Sequence, residues 1–176
     1  MQVAVHYEQA KERRYPEQIT IAIAKDSVGK YNPITLSWTM WTSIDPPMIA
    51  IAVGKERHTA AALRQARSFV VSLPSDRMKE DVLFHGTRSG RDLDKLRRCG
   101  TQTQPATRID CVLLADAVAN FECELASEVT AGDHIIFVGK VVASHVNEDS
   151  QTRRIFTLGN ERMGAVQPAA ESDTHS

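Results

Sequence analysis

The sequence predicts a mainly β domain: an antiparallel barrel with helices inserted between its strands. Six or seven short runs rich in β-branched and aromatic residues are spread along the 176 residues. Turn residues such as Pro46-Pro47, Pro74 and Gly132 separate them. The helical stretches do not alternate one for one with the strands, as a doubly wound parallel sheet would require. A chain of this length most simply forms one domain, and it can bury about 70% of the surface its unfolded form exposes.

Taken in order, residues 1–15 are polar and charged, with Lys11-Glu12-Arg13-Arg14 ahead of Tyr15-Pro16, and predict a surface arm or short helix. Ile19 to Ala24 alternates and reads as a strand. Asp26 to Lys30 is turn chemistry, with Gly29 free to take positive φ. Ile34 to Ser43 predicts a second strand, stopped by Asp45-Pro46-Pro47 because proline has no N–H for a ladder. Met48 to Val53 is continuously apolar and predicts a strand covered on both faces. Thr59 is placed to cap a helix through Ala66. Phe69 to Leu73 is a strand ended by Pro74, and Ser75 or Asp76 caps a short helix from Met78 to Phe84. His85 to Gly90 reads as a loop, and Asp92 to Arg98 as a charged helix stopped by Gly100. Cys111 to Leu114, Ala119 to Leu125 and His134 to Val146 are strands, the last preceded by an Ala131-Gly132-Asp133 turn. Phe156 to Met163 is a weak strand or loop, and Gln167 to Ser176 a polar tail expected to be disordered.

Composition excludes several classes. A net charge of −1 gives no reason to expect nucleic acid or an anionic membrane as partner. No apolar run approaches the roughly 20 residues of a membrane helix, and no secretory signal is visible, so the expectation is a cytoplasmic protein. Cys99, Cys111 and Cys123 are an odd set spaced by twelve, which suits free thiols in a reducing compartment better than a disulfide framework or a metal knuckle. There is no HExxH and no His/Cys pair at ligand spacing, so no metal is expected. The absence of GxGxxG, GxxxxGK[ST] and GxSxG argues against a Rossmann oxidoreductase, a P-loop NTPase and an α/β-hydrolase.

Four places carry chemistry. At Val53 to Thr59 a strand ends, Gly54 lets the backbone pass close to a ligand, and a helix begins. A helix N-terminus offers unpaired N–H groups and partial positive charge, and Lys55, Arg57, His58 and Thr59 add donors, a setting for a phosphate monoester. Thr35, Ser37 and Thr39 share one strand face by the two-residue period and can bond the edge of a flat heterocycle. Ser89 to Lys95 is a glycine turn into a charged helix, and Gly132-Asp133-His134 offers an imidazole that titrates near neutral pH. The plainer alternatives are a capped helix in solvent, a solvent-facing strand side, and a solvated helix held by Asp94 with Arg97 and Arg98.

Asn32-x-x-Thr35-x-Ser37-Trp38, Asp45-Pro46-Pro47, Arg57-x-Thr59, Ser89-Gly90-Arg91-Asp92-x-Asp94-Lys95 and Gly132-Asp133-His134-x-x-x-x-Gly139-x-Val141 occur in that order. Together they resemble the flavin reductase-like, FMN-binding split-barrel proteins, particularly the flavoredoxin-like branch. The resemblance implies a Greek-key split β-barrel over residues 15–164, with an N-terminal arm of 1–14 and a disordered tail of 165–176. It implies a homodimer with FMN in a groove near the subunit interface. Asn32, Thr35, Leu36, Ser37 and Trp38 would lie on the strand against the isoalloxazine, with Trp38 expected to pack beneath the barrel rather than cover the flavin. Ala52, Val53, Gly54, Lys55, Arg57, His58 and Thr59 would lie on the phosphate side, with Ser89, Arg91 and Lys95 near the flavin. His134 would be the catalytic residue, on the nicotinamide side. The implied activity is hydride transfer from NADH or NADPH to the flavin and on to an acceptor. The alternative is a flavoredoxin-like FMN carrier between redox protein partners, and a third option is a split barrel acting as a regulator.

Overall fold

The Ile-Thr-Ile-Ala-Ile-Ala alternation builds a wall between two cores. The computed structural model describes residues 1–166. Helix α1 (Tyr7–Lys11) and a 3-10 turn (Glu12–Arg14) precede strands β1 (Glu17–Gln18), β2 (Thr20–Lys25), β3 (Tyr31–Leu36), β4 (Thr39–Ser43) and β5 (Met48–Gly54). Helix α2 (His58–Ala66) leads to β6 (Ser68–Leu73), then to a 3-10 turn (Asp76–Met78), α3 (Lys79–Thr87) and α4 (Lys95–Cys99). Strands β7 (Thr103–Pro105), β8 (Val112–Leu114), β9 (Ala119–Ala131), β10 (His134–Val146), β11 (Arg154–Gly159) and β12 (Arg162–Val166) complete the described chain.

Alternate residues of β2 serve opposite faces. Ala22 and Ala24 join Ile49, Ile51, Val53, Phe69 and Phe137 in one core, which α2 covers with Ala60, Ala62 and Leu63. Ile21 and Ile23 join Val70, Met78, Val82 and Leu114 in the other, beneath α3 and β8. Gly139 sits at the centre of the first core. A Cβ there would lie 2.5 Å from the Phe69 ring, so glycine makes room for the aromatic side chain at a bulge in β10.

Seven strands form one antiparallel sheet in the order β3-β2-β6-β9-β10-β5-β4. The end strands β3 and β4 are consecutive in sequence yet lie at opposite ends of the sheet. The Thr20 and Thr39 hydroxyls, 2.7 Å apart, bring β4 back towards β2, and Gln18 Nε2 donates to the Thr39 carbonyl. The barrel is thus drawn together by side chains without a continuous backbone ladder, a split barrel as the sequence predicts.

Several elements differ from expectation. The single strand of Ile34 to Ser43 is two strands, because the chain crosses from one sheet edge to the other at Ser37-Trp38. β5 has one fully buried face of Ile49, Ile51 and Val53; on its other face Ala52 is only half-buried. His85 lies inside α3, which runs to Thr87, and not in a loop. α4 begins at Lys95, because the Asp94 carboxylate accepts from Arg97 N at 3.1 Å and caps it. Asp94 is therefore a cap rather than an ion-pair partner. Thr59 does not cap α2: Arg57 is the N-cap residue, with no side-chain bond. Ser75 precedes its 3-10 turn with no capping bond either. Phe156 to Met163 belongs to the hairpin β11–β12, turned by Asn160 and Glu161 with φ of 50° and 58°. The expected tail boundary at 165 falls inside β12, where Ala165 pairs with Ile155. Residues 167–176 lie outside the described part of the chain. The N-terminal arm is an exposed short helix, as expected.

A buried carboxylate fixes the β7–β8 connection. Glu122 on β9 is 0% exposed. It accepts from Thr107 N and Oγ1 at 2.8 Å, from Arg108 N at 2.7 Å and from Ile109 N at 3.1 Å, with His145 Nε2 at 2.7 Å. Burial alone would raise its pKa, but these bonds outweigh burial and hold it at about 2. Because the folded value lies below the unfolded one, the charge stabilises the fold fully above pH ~4.5, and that contribution is lost as pH falls towards 2. The linkage is worth about 2 to 3 kcal/mol. Urea titrations of Glu122→Gln should show that loss at pH 7 and a flatter stability curve than the parent below pH ~4.5. An unchanged midpoint at neutral pH would show that the carboxylate does not hold the connection.

Candidate functional site

Two cavities meet at Arg57. The first, about 250 Å³, is bounded by the β3–β4 crossing from Ile34 to Trp38, the end of β5 at Ala52 and Gly54, and His134 at the start of β10. The second, about 230 Å³, lies between the start of α2 and the segment running from the end of α3 to α4. Ile34, Arg57 and Gly86 line both, so the two form one bent groove.

The second cavity is cationic. Arg57, Arg88, Arg91 and Lys95 line it, and among the described residues none of the four pairs with a carboxylate. Lys95 is 3% exposed; its ammonium donates to the His85 carbonyl at 3.0 Å and the Arg88 carbonyl at 3.2 Å. Burial, and then the neighbouring Arg57 guanidinium, push its pKa down to about 8. The buried Lys95 and the exposed Arg57 beside it are like charges, and their proximity favours an anion between them. Arg91 Nη2 donates to the Glu56 carbonyl at 3.3 Å and so spans the cavity from loop to turn. No side chain caps α2, whose nine residues start here, so its N-terminus adds its partial positive charge.

The back wall is tightly built. Asn32 Nδ2 donates to Thr59 Oγ1 at 2.8 Å, and both residues are buried. The backbone of Gly90 rests on the same asparagine: a Cβ there would lie 1.9 Å from Asn32 Oδ1, so only glycine fits. His58 Nε2 lies 3.2 Å from Asp26 Oδ2, which ties the Asp26–Lys30 turn to α2. Burial would raise the Asp26 pKa, but the amides of Lys30 and Val28 and the His58 ring lower it.

The first cavity is less charged. Its hydroxyl is Ser37. Thr35 is spent structurally, donating to the Val82 carbonyl at 2.7 Å, and Thr39 is the closing partner of Thr20. The expected face of three hydroxyls therefore does not exist, because the break at Ser37-Trp38 interrupts the two-residue period. Trp38 is not beneath the barrel. It is 47% exposed at the mouth, its ring 4.8 Å from that of His134 and tilted by 47°. His134 Nδ1 lies 2.7 Å from Asp133 Oδ1, which orients the ring; Nε2 lies near Gly54, within 3.9 Å of where its Cβ would stand.

Of the residues singled out from sequence, Thr35, Leu36, Ser37, Trp38, Ala52, Gly54, Arg57 and His134 line the first cavity, and Arg57, His58, Thr59, Ser89, Arg91 and Lys95 the second. Three do not line the groove. Asn32 stands behind Thr59, Val53 points into the core at 0% exposure, and Lys55 is an exposed turn residue whose amide bonds Asp133 O at 3.0 Å. Ile34, Glu56, His85, Gly86, Arg88 and Gly90 also line the groove and are not among the residues that the sequence singles out. Glu56 and Gly90 are neighbours of residues that it does; His85 and Gly86 carry no such signal, because the sequence predicts a loop where α3 forms the wall.

The chain is 34% identical over 136 residues to an uncharacterized protein of Pyrococcus abyssi, covering 77% of each. An FMN-binding protein of Thermus thermophilus superposes with a TM-score of 0.82 at 25% identity, covering 98% of both chains. A flavoredoxin of Methanosarcina acetivorans gives 0.83 at 19% identity, covering 99% of this chain and 96% of the other. An NADH:FAD oxidoreductase of Streptomyces globisporus gives 0.80 at 20%, covering 96% and 99%. The last two likenesses speak for the fold alone. The family described as flavin reductase like domain matches residues 12–166, and the chain belongs to that family.

Proposed function

We propose that the groove holds FMN, with its phosphate at the cationic end and its ring system in the first cavity, and that the protein is an NAD(P)H-dependent flavin oxidoreductase. The observation that carries this reading is that the two cavities share Arg57 in their walls: a cationic pocket for a phosphate at one end, and a chamber of backbone, Ser37 and aromatic surface at the other. The cationic cluster without a carboxylate partner and the glycine-only contact at Gly90 fit a phosphorylated ligand. The name of the Thermus protein supports flavin.

The flavin, when bound, supplies the hydride chemistry. Arg57, Lys95 and Arg91 bind and orient the phosphate. Lys95 does so with the one ammonium proton its two carbonyl bonds leave free. Ser37 and the backbone beside it meet the ring edge. His134, held by Asp133, faces the nicotinamide donor, and Trp38 shields that side from water. Met40, Trp41 and Ile44, exposed on and beyond β4 next to the groove, suit the homodimer interface that the family resemblance implies. The free thiols fit a reducing, cytoplasmic setting. Among the described residues no helix is long and apolar enough to cross a membrane.

The second reading is an FMN electron carrier, favoured by the exposed apolar residues flanking the groove mouth and by the flavoredoxin likeness in fold. Stopped-flow mixing of the FMN-loaded protein with NADH and with NADPH separates the two. Bleaching of the flavin band within the dead time to seconds supports the reductase, and a stable spectrum with both donors supports the carrier.

Arg57→Glu replaces attraction with repulsion in the shared wall. FMN affinity should fall about 30-fold or more, equivalent to about 2 kcal/mol. Titration of the apoprotein by flavin fluorescence quenching checks this, and unchanged affinity would move the phosphate clamp elsewhere. Gly90→Ala forces the loop off Asn32, so FMN should bind at least tenfold more weakly while circular dichroism stays that of the parent. Full affinity in that variant would show that the loop takes no part in binding.

A further inference from the structure

We propose that Asp81, His85 and Cys99 form a binding site for a zinc-class divalent cation. Asp81 and His85 stand one turn apart on α3, and Cys99 is the last residue of α4. His85 Nε2 lies 3.7 Å from Asp81 Oδ1, Cys99 Sγ lies 3.7 Å from the same oxygen, and all three ligand atoms fall within 4.8 Å of one another. Zinc with ligand bonds of about 2.0 to 2.3 Å in a tetrahedron has ligand–ligand edges of about 3.3 to 3.7 Å. Two of the three edges are within a few tenths of an ångström of that range, and the third needs a shift of about 1 Å at most, within reach of a cysteine rotamer.

The ligand chemistry selects the metal. One nitrogen, one sulfur and one carboxylate oxygen suit zinc and not magnesium or calcium, which take oxygen ligands. Protons now hold the cluster together: the Cys99 thiol and the Thr101 hydroxyl donate to Asp81, and Thr101 Oγ1 lies 3.0 Å from His85 Nε2. A divalent cation takes the place of the thiol proton, which leaves to solvent, and the single proton of the neutral His85 ring moves from Nε2 to Nδ1 so that Nε2 can ligate. The carboxylate and the thiolate then balance its charge, as a half-buried place requires. Thr101 Oγ1 or a water completes the coordination from the open side, where Asp81 is 20% exposed and Cys99 half-buried.

The cation would tie α4 to α3. α4 has five residues, too few to be stable alone, and it carries Lys95, whose ammonium rests on the carbonyl of His85 itself. The metal site thus braces α3 against α4 at the wall of the groove, where His85 also lines the second cavity. The site carries neither HExxH nor a close His/Cys pair: its donors are an Asp–His pair on one helix and a cysteine fourteen residues further on.

The test is cobalt, a spectroscopic substitute for zinc, added under anaerobic conditions to chelator-treated full-length protein. One equivalent should give a thiolate-to-cobalt charge-transfer band and the intense visible bands of four-coordination, and zinc should abolish both. Cys99→Ser should lose the charge-transfer band and bind zinc at least tenfold more weakly. Its circular dichroism should match the parent, since Cys99 ends a helix at a half-buried place. His85→Gln should weaken binding similarly, and zinc should raise the melting temperature of the parent but not of Cys99→Ser. No thiolate band in the parent, or a band undiminished in Cys99→Ser, would overturn the proposal. These readouts need neither flavin nor nicotinamide, so they stand or fall apart from the groove's own ligand.

Discussion

The chain must carry β3 and β4, neighbours in sequence, to opposite ends of one sheet, and the rest of the molecule follows from that constraint. Two residues, Ser37 and Trp38, make the crossing. A backbone that leaves one strand edge and joins another has N–H and C=O groups that neither edge uses in full. Trp38 O accepts from Ala52 N at 2.9 Å, which continues the β4–β5 pairing, and the Thr20 hydroxyl reaches Leu36 O at 3.4 Å. The crossing therefore borders a cavity and not a ladder, and the ends of β5 and β10 open onto the same space. The closing contacts are side chains, Thr20 with Thr39 and Gln18 with the Thr39 carbonyl. A barrel closed by side chains can leave a chamber at its seam, whereas one closed by a full ladder cannot.

The cationic end depends on a different economy of charge. Lys95 is buried, which disfavours an ammonium, yet two carbonyls at the C-terminal end of α3 accept from it. Those carbonyls would otherwise lack partners where the helix stops. The lysine thus ends one helix, starts the next and leaves one proton towards the groove. Arg57 does the reverse at α2, where its carbonyl accepts from Ala60 N at 3.0 Å while its side chain makes no capping bond and the guanidinium remains available. Each residue serves a helix terminus and the proposed phosphate site together, which explains why the site sits where three helix ends converge.

Much of this was legible from local pattern. The alternation of Ile19 to Ala24, the apolar run of Met48 to Val53 and the glycine stop at Gly100 each have a cause within a few residues, and each appears in the fold. The donors at Arg57 and Thr59 follow from type and spacing, Arg91 and Lys95 from the family resemblance, and all four line one pocket. The misses are long-range. The crossing at Ser37-Trp38 is dictated by sheet order, which no window of sequence contains. Thr59 looks like a cap until Asn32, twenty-seven positions away, claims its hydroxyl. Lys55 is as basic as Arg57, and only the direction of the turn separates them. Thr35 and Thr39 keep the two-residue spacing in sequence, but the crossing puts them on strands at opposite ends of the sheet and tertiary partners take both hydroxyls.

The two ends of the groove are constrained unequally, and this bears on how one fold can serve different acceptors. At the cationic end, Gly90 touches Asn32, Asn32 holds Thr59, and His58 is tied to Asp26, so a ligand's phosphate finds a wall that cannot widen without breaking buried contacts. At the other end Trp38 is nearly half exposed, and it meets His134 without a hydrogen bond between them. Substitution at the mouth disturbs no core, while substitution at the cationic wall disturbs several elements together. Under the proposed reading, retention of the cofactor would rest on packing and choice of partner on surface side chains around β4 and the start of β10.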